Sequence, residues 1–397
     1  MAGPLQGMKV IELSHIMSGP ICGMMLADMG ADVIKVEKMD GDDCRRFAPI
    51  LAHGESASFM VLNRNKRDIA LNLKTEGGKE VLRRMLADAD VVTENYRKGT
   101  MEKLGLGYDS LKELNPGLIY CSVSGYGRTG PYADKGGFDL IAQGLSGLMS
   151  ATGEPGQGPI KAGSPVADIN AGILAALGIA AAYAHKLRTG EGQIVDTSLL
   201  EAGFQQMYWQ VANYCSEGVV LPKMGSANST STPYQAFRTQ DGWINIGAAN
   251  QGNYERLLQV LDAPHISNDP RFTSNPLRMQ HREALVELIT QCLVTDTTDS
   301  WVARLDAAGL PVGAVLDISQ AVEHPQILER DMLVETHHPV TGAARSIALP
   351  IRFSATPRAV NRPSPLLGEH TQEILQEYGY DAEQIAALHS QGAILSL

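Results

Sequence analysis

The stretch Met8–Glu37, MKVIELSHIMSGPICGMMLADMGADVIKVE, decides the fold class. Met8–Leu13 is a short apolar run broken only by Lys9 and Glu12, and it reads as a buried strand. Gly19-Pro20 punctuates the turn behind it, Ile21–Met29 reads as a helix, and Gly30 ends that helix. Ala31–Glu37 returns to the strand pattern. Strand, helix and strand in this order make a βαβ unit, which argues for a parallel sheet. Further strands are expected at Asp68–Leu73, Asp90–Glu94 and Leu118–Ser124, with a helix near Thr75–Ala87. The first third therefore predicts an α/β domain built on a Rossmann-like parallel sheet. Its first βα turn, Ser14-His15-Ile16-Met17-Ser18-Gly19-Pro20, lacks the G-x-G-x-x-G of dinucleotide binders, so the sheet does not imply a nicotinamide cofactor.

Beyond this part the pattern changes. Tyr234–Phe237 and Trp243–Gly247 flank Gln240-Asp241-Gly242, a hairpin signal, and helices follow near Asn253–Leu261, Arg278–Leu293 and Asp299–Ala308. We read residues 1–205 as a large domain, 206–225 as a linker, 226–315 as a smaller α+β domain, and 316–397 as a C-terminal segment returning to the large domain. In that last segment helices are expected near Ile318–His324 and Thr371–Tyr378, around a stretch punctuated by Pro350, Pro357, Pro363 and Pro365. At 397 residues the chain is long enough for two cores.

Residues 1–104 hold 15 basic and 15 acidic side chains, so the net charge of −11 belongs entirely to the rest of the chain. That balance speaks against nucleic acid as a partner and leaves room for a local anionic ligand near the N-terminal third. The five cysteines are scattered without metal or redox spacing, which fits a reduced, cytoplasmic setting. No secretory signal is visible at the start. The 14 small and apolar residues Ala171–Ala184 are too few for a membrane span and read as a helix buried in protein. The histidines show no ligand spacing and no metal is expected.

Asp168 stands in Gly163-Ser164-Pro165-Val166-Ala167-Asp168-Ile169-Asn170, just before that run. An Asp at this junction is ordinarily a helix cap. The alternative is a nucleophile, for which the small neighbours leave room and the apolar helix excludes water. The cations of Asn63-Arg64-Asn65-Lys66-Arg67 read either as a solvated face or as part of a phosphate site, together with Lys38, Lys74, Arg97, Lys98 and Lys103. Glu94-Asn95-Tyr96-Arg97-Lys98-Gly99 follows a strand, where ligands of open α/β sheets sit, or forms a plain surface loop.

Taken in order, several motifs resemble the class III CoA-transferase family, the formyl-CoA and carnitine CoA-transferase group. They are Gly19-Pro20 with Leu26-Ala27-Asp28, Gly30–Glu37, Asn63–Arg67, Glu94-Asn95-Tyr96, Gly125–Pro131, Gly137-Phe138-Asp139, Pro233–Phe237 with Asp241-Gly242, and Leu367–Thr371. The resemblance covers nearly the whole chain and is greatest to members acting on dicarboxylates such as succinate or glutarate. It implies two subunits interlocked as a homodimer, an acyl-CoA thioester and carboxylic acids as substrates, no permanently bound cofactor, and no membrane partner. It also implies that Asp168 is a covalent catalytic residue forming a mixed anhydride and then an aspartyl-CoA thioester. Carried over by position, CoA contacts fall on Ile16, Met17, Ser18, Lys38, Leu71, Lys74, Asn95, Tyr96, Arg97, Lys103 and Lys135. The loop Gly225–Thr232 lies where the family has a mobile glycine-bearing loop near the nucleophile. Two alternatives share the sheet. A racemase acting next to the thioester would need a His where Phe138 precedes Asp139. A non-catalytic CoA-binding protein would need no Asp168.

Overall fold

The computed structural model describes residues 3–358 and 360–396. Its strands in chain order are β1 (Lys9–Glu12), β2 (Asp32–Glu37), β3 (Arg67–Leu71), β4 (Val91–Glu94), β5 (Ile119–Ser124), β6 (Ile194–Ser198), β7 (Tyr234–Arg238), β8 (Trp243–Gly247), β9 (Val312–Ala314), β10 (Leu333–His338), β11 (Gly342–Ile347) and β12 (Ile394–Leu395). Three helices matter most for the site: α1 (Ser18–Asp28), α2 (Asp139–Leu145) and α3 (Val166–Thr189). The chain forms two compact units, one of Met1–Leu148, Ala162–Met207 and Gln326–Leu397, the other of Met149–Lys161 and Tyr208–Pro325.

In the first unit seven strands line up as β12-β3-β2-β1-β4-β5-β6. β3 through β6 are parallel, and only the two-residue β12 runs antiparallel, against β3. The order 3-2-1-4-5-6 is that of a doubly wound Rossmann-like sheet, as the sequence predicts. Alternate side chains feed two cores. Val10, Val33, Val91 and Ile119 face α1 and α3. Ile11, Ile34, Val92 and Tyr120 face the helix Glu76–Ala87. Burial on both faces explains why these strands read as continuous apolar runs. β6 reads IVDTS, lies at the sheet edge with alternating partial burial, and was not expected for that reason. The hairpin of β10 and β11 was not expected either: its strands, LVETHH and GAARSI, are mixed in polarity and alternate between half-buried and exposed positions.

The helix α3 corrects one expectation. Ala167, Ala171, Gly172, Ala175, Ala176, Ile179 and Ala182 make a buried face, but Leu177 is 65% exposed and Leu187 70%. By length and composition alone α3 could cross a membrane. Its small residues instead serve close packing. A Cβ on Gly172 would lie 2.5 Å from the carbonyl oxygen of Ser18, so this glycine lets α3 touch the first turn of α1.

The second unit carries the antiparallel sheet β7-β8-β9 with its own core, centred on Phe237, Ile244, Leu257, Leu285 and Trp301. Residues 206–225, expected as a linker, contain a ten-residue helix, Tyr208–Glu217, assigned to this unit. Tyr208, Val211, Ala212 and Cys215 recur in it at helical spacing, yet the helix buries none of its residues. The segment from Gln326 onward joins the first unit, where β12 pairs with β3 and the backbone N–H of His370 donates to the Asp68 carbonyl.

The basic stretch Asn63–Arg67 is neither a solvated face nor a phosphate site. Arg64 is buried against Asp28, and Arg67 pairs with Asp32, Glu373 and Glu377. Lys66 has no exposure and donates to Glu12 Oε1 at 3.0 Å, to the Pro20 carbonyl at 2.9 Å and to Asn63 Oδ1 at 2.8 Å. Burial pushes its ammonium down to about 8, with Glu12 opposing that fall. Lys35, equally buried, lies 3.3 Å from Glu12 and 3.0 Å from Asp42. Two cations and two carboxylates thus neutralise one another inside the protein. Replacing Lys66 by Met leaves Glu12 short of a partner and should cost about 3–5 kcal/mol in urea unfolding. The double change Lys66→Met with Glu12→Leu should recover much of that loss, and a single variant as stable as the parent would contradict this assignment.

Candidate active site

The strand order reverses between β1 and β4, and the segments leaving them pass to opposite faces of the sheet: α1 joins one core, Met101 and Leu106 the other. Ligands of open α/β sheets bind in the crevice beyond such a reversal. A cavity of about 430 Å³ lies there. Its walls are the turn His15–Ser18 after β1, Asn95–Lys98 after β4, Ser124 and Gly125 after β5, Lys135–Phe138, and Asp168.

Side chains from neighbouring strands lock the backbone of this crevice. Ile16 has φ of 66°, unusual for a β-branched residue, and its N–H donates to both Asp42 oxygens at 3.1 Å. Lys35 Nζ donates to the Ser14 carbonyl at 2.9 Å. Asn95 accepts from the N–H of His15 at 2.9 Å and donates to its carbonyl at 2.8 Å. Glu94, buried beneath, accepts from the Tyr96 N–H at 2.8 Å and from Arg128 at 2.8 Å. Gly125 and Gly137 close the β5 end of the crevice by backbone contact, since a Cβ on Gly125 would sit 2.7 Å from the Gly137 Cα.

Asp168 lies in the first turn of α3, but it is not the cap. Pro165 occupies the cap position without a side-chain bond. The orphan N–H groups of that turn are served by Asp139 on α2, whose Oδ1 accepts from Ala167 at 2.9 Å and from Asp168 at 3.4 Å. Gln143 holds Asp139 from the same helix, at 2.6 Å. Among the described residues the Asp168 carboxylate itself accepts no hydrogen bond from the protein, and it lines the cavity. Burial, with the Asp139 charge adding to it, pushes the Asp168 carboxyl up to about 6. The result is a carboxylate poorly solvated, unpaired and directed at ligand space, the state a nucleophile needs.

The residues singled out by sequence divide into two sets. Ile16, Met17, Ser18, Asn95, Tyr96, Arg97, Lys135 and Asp168 come together around the cavity. Lys38, Leu71, Lys74 and Lys103 do not line it. Lys38 is exposed and paired with Asp43 at 3.0 Å. Leu71 is buried in the sheet core and in register with Ile394, so its side chain is committed to packing. Lys74 and Lys103 are exposed on the loop after β3 and on the short helix Thr100–Lys103. Asn95 lines the cavity with its amide already spent on His15. Sequence reasoning missed Asp139 as the true cap and His15 as a cavity residue, whereas Lys98, offered there for a phosphate site, does line the cavity. Its position in the turn just after strand β1 was the available signal for His15. Arg97, Lys98 and Lys135 form no ion pair among the described residues, unlike Lys38 and Arg128 nearby, so three cations remain for an anionic ligand. No group of three or more His, Cys, Asp or Glu among the described residues could hold a metal. The loop Gly225–Thr232 is tied within its own unit, where Asn275 donates to the Thr230 carbonyl at 2.9 Å and Arg278 to that of Thr232 at 3.0 Å.

A family model described as CoA-transferase family III matches residues 5–371. The chain belongs to CoA-transferase family III. It is 41% identical to the succinate–glutarate CoA-transferase of Agrobacterium fabrum, over 94% of this chain and 95% of that protein. It is 34% identical to the human succinyl-CoA:glutarate CoA-transferase, over 98% of this chain and 90% of the relative. Among solved structures, a CAIB/BAIF family protein from Brucella suis superposes with a TM-score of 0.88 at 38% identity, covering 95% of this chain and all of that one, 100%. As a CoA-transferase the chain uses CoA thioesters as substrates.

The raised Asp168 carboxyl has a cost in stability with a definite sign. Its folded pKa of about 6 exceeds that of an unfolded Asp, about 3.9, so ionisation destabilises the fold as pH rises through this window. Asp168→Asn should therefore stabilise the protein by about 1–3 kcal/mol at pH 7.5, with the gain vanishing below about pH 4. Denaturation of both proteins across that range checks this; an equal or lower stability of the variant at pH 7.5 would contradict it.

Proposed function

We propose that the chain transfers CoA between small dicarboxylic acids, with succinate and glutarate as the first candidates, by covalent catalysis at Asp168. The observation that carries the reading is the Asp168 carboxylate, which leaves the capping of its own helix to Asp139 and faces the cavity unpaired. The names of the two transferase relatives support the choice of acids. Arg97, Lys98 and Lys135 supply the charge for the phosphates of CoA.

The chemistry begins when an Asp168 oxygen attacks the thioester carbonyl of the donor. The C–S bond breaks, CoA leaves as its thiolate, and a mixed anhydride remains. The thiolate then attacks the Asp168 carbonyl carbon, the anhydride C–O bond breaks, and the donor acid departs as a carboxylate. The acceptor carboxylate attacks the resulting aspartyl thioester and expels the thiolate, which attacks the acceptor carbonyl and returns Asp168 as a carboxylate. Each step exchanges one acyl bond for another of similar reactivity, and no proton or electron is consumed. Racemisation is disfavoured because Phe138, not a base, precedes Asp139.

We also infer that the working form is a homodimer, interlocked as the family resemblance implies. Phe138, Leu140, Leu145 and Phe204 are large apolar side chains more than half exposed or nearly so on one chain, and Leu177 on α3 joins them in that state. A second copy of this chain is the occupant such apolar exposure calls for.

Asp168→Ala should lower transfer by at least about a thousandfold while CoA still binds. Parent enzyme given acyl-CoA and then borohydride should show a reduced Asp168 peptide by mass spectrometry, and a fully active Ala variant would sink the covalent route. In the parent, kcat/KM should fall as pH drops through about 6, where Asp168 takes up a proton. Asp139→Asn keeps an acceptor for the helix and removes a charge, so it should move that acid limb to lower pH. Light scattering at micromolar concentration should give twice the chain mass; a folded monomer would rule out the dimer.

A further inference from the structure

Among the described residues His15 is the one imidazole on the cavity wall, in the turn that carries Ile16 and against the loop that carries Tyr96. Its position is unusually well determined. Asn95 grips both its backbone N–H and its carbonyl, and the next peptide is fixed by Asp42 on the Ile16 N–H. Its ring stands edge-on to Tyr96, with centroids 5.6 Å apart at 88°. Among the described residues neither ring nitrogen hydrogen-bonds to the protein, although the ring is more than half buried. Standing on the cavity wall with both ring nitrogens free of protein partners, it is placed to meet a ligand there.

Burial, the largest influence, holds the imidazole below its ordinary range; of the charges near it, Asp42 and Asp43 oppose that shift, and Lys35 and Lys38 add to it. At neutral pH the ring is uncharged and presents one N–H donor and one lone pair. Such a group does not suit a phosphate, for which Arg97, Lys98 and Lys135 stand on the same cavity. It suits an amide, which offers an acceptor and a donor of its own. In a CoA thioester the amides belong to the pantetheine arm, the part that must run between the phosphates and the reacting sulfur at Asp168.

Resting on the CoA-transferase reading, we propose that His15 is a ligand-binding residue that hydrogen-bonds a pantetheine amide of the bound CoA thioester and so sets the path of the arm toward Asp168. The contact acts equally on bound substrate and on the transition state, so its loss appears in KM more than in kcat.

The test compares His15→Phe, which keeps the ring against Tyr96 and removes both nitrogens, with His15→Gln, which restores a donor and an acceptor. Binding of CoA and of adenosine 3′,5′-bisphosphate, which lacks the arm, is measured by calorimetry, alongside succinyl-CoA kinetics. The Phe variant should bind CoA about tenfold more weakly and show a matching rise in KM with kcat within about twofold. Its affinity for the bisphosphate should be unchanged, and the Gln variant should regain part of the loss. Unchanged CoA affinity in the Phe variant overturns the proposal. So does an equal loss for CoA and bisphosphate, which would mark a general disturbance of the turn. The parent protein separates the two levels of inference: if it transfers CoA while the Phe variant binds CoA normally, only the role of His15 falls, and if the parent binds no CoA the transferase site itself has been misplaced.

Discussion

Four charged side chains shut away from water, Glu12, Lys35, Asp42 and Lys66, meet behind the turn that follows β1, and the geometry of the cavity depends on them. Each also holds, or is held beside, a backbone group of that turn or of α1: Lys35 the Ser14 carbonyl, Asp42 the Ile16 N–H, Lys66 the Pro20 carbonyl. A buried ion pair is weak evidence for net stability, because removing two charges from water offsets most of their attraction. What the cluster secures is one conformation, including a positive φ at Ile16 that the chain would not adopt unaided. Lose one member and the others are left charged in a dry interior.

A second constraint operates at α3. Helix ends need partners for their free N–H groups, and an Asp in the first turn usually supplies one locally. Here Asp139 reaches across from α2 to do so, which frees Asp168. The two carboxylates are then close enough for the charge on one to disfavour charge on the other, and burial adds to the effect. The fold thus keeps a carboxylate in an unfavourable state, at a cost in stability.

The strands and α1 were legible because their apolar runs are long and Gly30 marks a helix end; boundaries shifted by only a few residues, as at β1 and β3. Other parts were less legible. β6 is a mixed-polarity edge strand, and the helix Tyr208–Glu217 buries nothing. At the site, the chain positions after β1 and β4 pointed to the right loops. They could not say that the amide of Asn95 is spent on His15, or that Leu71 turns into the core.

By itself the sequence determined the parallel sheet, the absence of a dinucleotide fingerprint, and the family resemblance that singled out Asp168, since these rest on local periodicity and on ordered short motifs. Only the tertiary structure decided what each polar residue does. The cations of Asn63–Arg67 looked like a ligand site and proved to be internal counter-ions for Glu12, Asp28 and Asp32. Asp168 looked like a cap and proved to be released from capping by a residue 29 positions earlier in the chain. The reason is common to both: the partner of a charge or of a free N–H is fixed by proximity in space, and sequence spacing carries no record of which distant side chain will arrive there.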